Sequence, residues 1–298
     1  MSTENVKTAA AKKKNKHRTQ AGEIWFRLTK NKGAMVGLAI VIMIFLLAIF
    51  ADVLFDYETD VCGYDLTIAK QAPSKEHWFG TDEMGRDLFA RVLYGTRFSI
   101  AIGVAAVLVG IIVGVPFGAI CGYFGGKVDL FLMRIIDIIR SIPGLLMGIV
   151  IVSALGQSTM SLIIAISISE ITGLTTQTRA TVLTVKNQEY VESARNIGLS
   201  EWKIIFRHII PNCLSPILVR VTLGVATGII GASSLSFLGL GVEPPSPEWG
   251  ALLAAGRSFI RKYPYMTMFP GLAIMITVLA LNLLGDGLRD ALDPKLRK

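Results

Sequence analysis

The stretch Phe98 to Gly126, FSIAIGVAAVLVGIIVGVPFGAICGYFGG, contains no Asp, Glu, Lys or Arg. A helix of about 20 mostly apolar residues is long enough to cross the roughly 30 Å of hydrocarbon in a bilayer. A helix on the surface of a soluble core needs a polar face for water, and this stretch has none. Uncharged runs of the same kind cover Ala34 to Ala51, Ser141 to Ser169, Val221 to Val242 and Tyr263 to Gly285. The fold class this dictates is all-α, a polytopic membrane protein with about six transmembrane helices.

Composition agrees with that reading. The 298 residues are 52% apolar and 17% charged, against about 25% charged in an ordinary soluble domain. Net charge is +8, which elsewhere would raise nucleic acid as a partner. Here much of the excess precedes the first apolar run, in Lys12, Lys13, Lys14, Lys16, Arg18, Arg27, Lys30 and Lys32. Basic residues beside a first span hold that end in the cytoplasm, and no base-reading motif accompanies them, so no nucleic-acid partner is expected. The first run is longer than the apolar region of a cleaved signal and lacks an evident cleavage site, so it is expected to remain as an anchor. Membrane lipid is the surrounding partner. Cys62, Cys121 and Cys213 are too far apart to suggest a disulfide framework or a metal site.

Taken in order, the chain starts with a basic tail, residues 1–33, about 20 residues of which are expected to be disordered. One membrane domain, residues 34–298, follows. Its first span is expected at Ala34–Phe55. A polar segment, Asp56 to Gly95, leads to RDLFARVLYGTR at Arg86–Arg97, where basic and apolar residues alternate at helical spacing. That pattern suits a short helix lying in the membrane interface or capping the outer end. The second span is Phe98–Tyr123, bent by Pro116, with a glycine turn at Gly122, Gly125 and Gly126. The third is expected to be one helix from Asp129 to Leu155, with Arg134 and Asp137 one turn apart and able to pair. A polar hairpin at Gly156–Thr159 precedes the fourth, Met160–Arg179. The fifth runs from Leu214 to Ser236 and the sixth from Met266 to Leu284, with an amphipathic segment, Leu252 to Ile260, between them. Six crossings put both termini in the cytoplasm, along with most of the 30 basic residues. Trp78 and Trp249 flank spans, where aromatic rings ordinarily anchor at the headgroups.

The longest polar stretch between spans is the loop 180–208. Within it and just beyond lies EYVESARNIGLSEWKIIFRHIIPN, Glu189 to Asn212. Glu189 to Ile197 can form a short helix, on which Ser193 and Ala194 are small enough for another protein to approach closely. Gly198 suits the left-handed position that ends a helix. Ser200 can cap a second helix with Glu201 in its first turn. The product is a compact helix–turn–helix knob, which serves equally as a docking device or as a polar connection between two spans.

Glu192-Ser193-Ala194, Gly198 and the approach to Pro211 resemble the "EAA" loop of permease subunits of bacterial ABC importers. FGTDEMGRD at Phe79–Asp87, LSFLGLG at Leu235–Gly241, Pro244-Pro245, Trp249-Gly250 and GDGLRDALDP at Gly285–Pro294 are similar to hallmarks of the C-type permeases of dipeptide, oligopeptide and nickel importers. The resemblance covers nearly everything from Gly33 to Arg297. The resemblance implies a type I importer permease fold and a second, homologous permease. It also implies two cytoplasmic ATPases that bind the ATP, and an extracytoplasmic binding protein that delivers peptides. Glu189, Glu192, Ser193, Ala194, Gly198 and Leu199 would form the coupling helix on the ATPase. The chain departs from the pattern in three places. Ser193 replaces the usual Ala, Ile171–Arg179 keeps only Arg179 of a Trp-Pro and paired-Arg signature, and Ala232 stands where Glu is common.

Glu170 and Arg220 are ionisable residues inside expected spans, where such groups face a cavity or a partner. Glu170 either lines the translocation path, attracting a peptide amino end, or pairs across the interface with the second permease. Arg220 lies near the cytoplasmic end of its span and can snorkel. No Walker A loop, HExxH or GxSxG motif is present, so the chain reads as a transport subunit without an ATPase site and with no cofactor of its own. Nickel, an ATPase-independent channel or secondary transporter, and a membrane scaffold are the alternatives to peptide import. His17, His77 and His208 are scattered, which favours peptide over nickel.

Overall fold

The computed structural model describes residues 20–292. The basic cluster Lys12–Arg18 and the last residues, from Asp293 on, lie outside that range. Eleven helices carry the labels used below. They are α1 Gln20–Lys30, α2 Lys32–Leu54, α3 Leu88–Phe124, α4 Gly126–Arg140, α5 Gly144–Leu155 and α6 Thr159–Val185, then α7 Glu189–Asn196, α8 Glu201–Ile204, α9 Leu214–Leu235, α10 Trp249–Gly256 and α11 Tyr265–Leu292. Among the described residues there is no β-strand beyond one isolated bridge, Thr81 to Asp87. Five helices are long and apolar enough to cross a membrane, and α4 with α5 makes a sixth if the bent pair counts as one span.

The bent pair departs from the single helix expected over Asp129–Leu155. α4 and α5 meet at 82°. Pro143 has no N–H to continue a helix, and its ring disfavours helical backbone at Ile142. α4 therefore closes with Ser141 N donating to the Asp137 carbonyl at 2.9 Å, and α5 restarts with Met147 N on the Pro143 carbonyl at 3.0 Å. Arg134 and Asp137 form no ion pair. Instead Arg179 of α6 binds Asp129 of α4 through both Nε and Nη2, at 2.5 and 2.6 Å.

What makes the return crossing necessary is the packing of α3 on α6. Gly110, Gly114, Gly118 and Gly122 recur every fourth residue and form one face of α3. A methyl on Gly114 would come within 2.6 Å of the Ile171 carbonyl oxygen, and one on Gly118 within 2.4 Å of that of Thr175. Gly110 faces Glu170 and Gly122 faces Val182, so the two helices ascend together and are parallel. Small residues at this spacing let helix backbones approach closely in a membrane. Two parallel spans require the chain between them to come back across, and only α4 and α5 are available. At 12 residues α5 is about 18 Å long. The hairpin after it is tied to the far end of α9 by Gln157 Nε2, which donates to the Gly239 carbonyl at 2.7 Å. Gly239 adopts φ +86° at the end of an irregular turn, Ser236–Leu240, that extends α9.

The segment Arg86–Arg97 is not a separate surface helix. From Leu88 on it is the first part of α3, a continuous 37-residue helix capped by Asp87, whose side chain accepts from Ala90 N. Leu88 and Val92 are buried with Trp249, Tyr265 and Met266. Arg91 is enclosed, with Nη1 on the Val61 carbonyl at 2.8 Å and Nη2 on that of Pro245 at 3.2 Å. An amphipathic pattern looks the same whether lipid headgroups or two folded loops cover it. Trp249 is also inside, 2% exposed, with Nε1 donating to the Val92 carbonyl. It is a core residue of the loop end and no headgroup anchor. Trp78 is exposed and packs against Phe89, its ring tilted and 4.8 Å away centre to centre.

The sequence hallmarks collect at this same end. Asp82 receives Met84 N, Arg86 N and Arg86 Nε. Buried Glu248 caps α10 through Gly250 N and Ala251 N, and Ser99 Oγ joins Glu248 to Trp249 N. They build a rigid plug over the ends of α3, α9 and α11. At the opposite end, α1 packs Ile24 and Leu28 against Leu288 and Ala291 of α11, so part of the expected basic tail is an ordered helix.

Candidate coupling surface and membrane-embedded polar site

α6 overshoots its expected end by six residues, from Arg179 to Val185, and carries the knob beyond the bundle. Lys186 Nζ then donates to the Gly122 carbonyl at 2.9 Å, holding the exit of α6 against α3. α7 follows as an eight-residue helix with Glu189 and Glu192 in its first turn and Arg195 in its last. That arrangement suits the helix dipole at both ends. Val191 and Ala194 face inward and pack with Val182, Ile204, Ile205 and Ile209. Gly198 takes φ +80° and reverses the chain, with Leu199 N closing on the Ala194 carbonyl at 3.2 Å. Ser200 occupies the cap position of α8, but its hydroxyl makes no capping bond.

Two side chains that no sequence pattern singles out fasten the knob. The Tyr123 hydroxyl, at the end of α3, donates to Glu201 Oε2 of α8. Arg195 Nη2 of α7 donates to the same hydroxyl at 3.2 Å, with its guanidinium 5.7 Å from the ring centre. Bonding to Tyr123 holds Arg195 above its ordinary, already high pKa, so it stays charged at any physiological pH. One tyrosine thus links α3, α7 and α8.

The site residues read from the sequence divide between two faces. Glu189, Glu192, Ser193 and Gly198 are exposed, whereas Ala194 is buried and Leu199 half-buried against the body. Ala194 therefore serves the close packing of α7 on its own protein, and Ser193 alone of the small pair faces outward. The exposed face also carries large apolar groups. Ile197 is 76% exposed, and Trp202 and Phe206 are more than half exposed. Ile197, the apolar residue just past α7, was legible in the sequence next to the charged Arg195.

Inside the bundle Glu170 and Arg220 meet each other. Arg220 Nη2 of α9 lies 3.1 Å from Glu170 Oε2 of α6, and Thr227 Oγ1 donates to Glu170 Oε1 at 3.1 Å. Glu170 is 3% exposed, enclosed within this chain. Arg220 does not reach for the membrane surface. Glycines make room for the pair, since a methyl on Gly173 would come within 2.5 Å of Arg220 Nη2, and one on Gly224 within 2.8 Å of Glu170 Oε2.

A bundle of parallel and antiparallel spans with a braced helical knob at one end fits a transporter subunit that is moved from outside. Residues 114–298 match the family described as binding-protein-dependent transport system inner membrane components. The chain belongs to this family. Residues 19–73 match the N-terminal transmembrane domain of oligopeptide transport permease C. The permease is 42% identical over 280 residues to the glutathione transport system permease protein GsiD of Pectobacterium atrosepticum, covering 94% of this chain and 93% of the relative. It is 43% identical over 275 residues to the dipeptide transport system permease protein DppC of Alkalihalophilus pseudofirmus, covering 92% and 90%. Among solved structures, an inward-facing form of the MetNI methionine ABC transporter superposes with a TM-score of 0.57 at 16% identity. That match covers 69% of this permease and 98% of the other chain, and speaks for the fold alone. The permease is a multi-pass membrane protein of the C type, as the hallmark motifs imply, and its family works with ATPase and substrate-binding partners.

Proposed function

We propose that this permease forms one half of a translocation path for di- and oligopeptides, the other half being a second, homologous permease. Two cytoplasmic ATPases bind and hydrolyse the ATP, so the permease has no nucleotide site of its own, and an extracytoplasmic peptide-binding protein delivers cargo to the loop end. Both termini and the knob are then cytoplasmic. The cargoes for which the relatives are named, glutathione and dipeptides, favour peptide over nickel.

The observation that carries this reading is the exposed face of α7. Ile197 stands in the open beside Glu189, Glu192 and Ser193, while Val191, Ala194 and the Tyr123–Glu201–Arg195 linkage brace the helix from behind. A solvated apolar group among charges on a rigid support is what a partner groove buries first. ATP-driven closure of the ATPase pair would push α7, and the linkage would pass that push to the end of α3. Glu170 and Arg220 would border the path that the push opens and closes.

The test is Ile197→Asp in the full complex. Because Ile197 is exposed, the substitution should change the stability of the permease by no more than about 0.5 kcal/mol. Co-purification of the ATPases and peptide-driven uptake should both collapse while membrane insertion is normal. Retention of the ATPases with unchanged uptake would remove α7 as the coupling surface.

A further inference from the structure

The recess beside Arg220 has a composition that the coupling function does not explain. It has a volume of about 280 Å³ and sits where α4 breaks into α5, against the middle of α6 and the first turns of α9. Arg140 and Arg220 supply two guanidinium groups to its wall, Ser169 and Thr172 add hydroxyls, and no carboxylate lines it. Glu170 lies behind Arg220, with Oε1 accepting from Thr227 Oγ1 and Oε2 in ion-pair contact with Arg220 Nη2 at 3.1 Å but without a hydrogen bond. The wall therefore keeps an uncompensated positive charge.

The unused donors point the same way. A guanidinium has five N–H groups and accepts nothing. For Arg220 the only protein partner among the described residues is Glu170, through Nη2. Its side chain is 27% exposed and lines the recess. Arg140 uses Nη1 on Thr176 Oγ1 at 3.1 Å and is otherwise open. Ser169 is exposed, and its hydroxyl has no protein partner. Donors left without acceptors inside a span are costly unless something else meets them.

We infer that this recess binds the C-terminal carboxylate of the peptide in transit, Arg140 and Arg220 donating to it from opposite sides. The inference rests on the peptide reading above and deepens it. Planar guanidinium groups recognise a carboxylate bidentately, which fixes the direction of the chain end. Whole small molecules occupy sites of about 300–1,000 Å³, so a recess of about 280 Å³ accommodates a chain end and leaves the rest of the peptide outside. Glycine at 173 and 224 keeps the guanidinium of Arg220 uncovered. Since Arg140 lies at the 82° break, movement of α4 against α5 changes the distance between the two cations. The carboxylate is then held in one state of the permease and released in another.

The experiment uses the complete complex in nanodiscs of zwitterionic lipid, without binding protein, and saturation-transfer NMR with alanyl-phenylalanine and its C-terminal amide. The free acid should give a signal about tenfold above the amide, the scale of one charge-assisted pair. Arg140→Gln, an exposed substitution, and the charge-neutral pair Glu170→Gln/Arg220→Gln should each bring the acid down to the level of the amide. Arg140→Lys should retain part of the difference. Equal signals from acid and amide in the unaltered complex, or unchanged discrimination in both variants, would overturn the assignment. Loss of the acid signal on adding phosphatidylglycerol would overturn it too, assigning the recess to a lipid headgroup. Uptake of the dipeptide by the same complex with binding protein separates the two readings. Normal uptake without discrimination defeats only the carboxylate site, and absence of uptake defeats the peptide reading along with it.

Discussion

Arg220 and Glu170 show how much a single buried contact decides. Each alone would be an ion in hydrocarbon, and each has the other at 3.1 Å. Removing one partner of a buried pair costs about 3–5 kcal/mol, because the remaining charge has no compensation. Arg220→Ala should therefore lower the melting temperature of the purified complex in detergent sharply. Glu170→Gln/Arg220→Met, which removes both charges, should recover most of the loss. If the single variant melts no lower than the double, the pair contributes nothing to stability. That both are ionisable residues inside spans was legible in the sequence. That they face each other was not, since 50 residues, including the whole knob of α7 and α8, separate them along the chain.

At the level of the helix, the glycine face of α3 sets the architecture. Methyl groups at Gly114 or Gly118 would sit 2.6 or 2.4 Å from carbonyl oxygens of α6, closer than any carbon and oxygen can rest, and backbone cannot step aside as a flexible side chain can. Gly118→Ala should push the two helices apart and destabilise the permease by about 1–3 kcal/mol, the usual cost of overpacking. Gly271→Ala in α11 is the control, because the nearest atom to its added methyl is Leu253 Cδ2 at 3.9 Å. It should be neutral or slightly stabilising through helix propensity. Thermal unfolding of both in detergent checks this, and equal melting of the two variants would refute the close-contact role. The repeat Gly110, Gly114, Gly118, Gly122 was present in the sequence, yet spacing alone marks a packing face without saying which helix it meets. The break at Pro143 was likewise available from composition. It was lost because Ser141 to Ser169 is uncharged throughout, and hydropathy does not register a bend.

Across the whole molecule, the parallel α3 and α6 require that α4 and α5 carry the chain back. Cysteine mapping in a version lacking Cys62, Cys121 and Cys213 tests this directly. Probes at Glu76 and Gln157 should react with an impermeant reagent from one side of the membrane, and a probe at Ser193 only from the other. Reaction of Gln157 from the Ser193 side would show that the bent pair enters and leaves on one face, giving five crossings and placing the termini on opposite sides. The same geometry explains the plug at the loop end. Phe79–Asp87 lies far along the chain from Pro244-Pro245 and Trp249-Gly250, and Arg91, Glu248 and Ser99 join the two regions by buried bonds. These motifs were recognisable singly, but their assembly into one structure was not.

The sequence by itself determined the membrane class, the approximate spans and the short helix–glycine–helix knob, because hydropathy, charge bias and glycine at a left-handed turn are local properties that no distant contact reverses. Only the tertiary structure decided which way amphipathic segments face. Leu88, Arg91, Val92 and Trp249 are inside because folded loops cover them, Ala194 turns toward its own bundle, and Arg220 meets Glu170. In each case the outcome depends on which surface arrives opposite a side chain, and that is set by how six crossings are arranged in space.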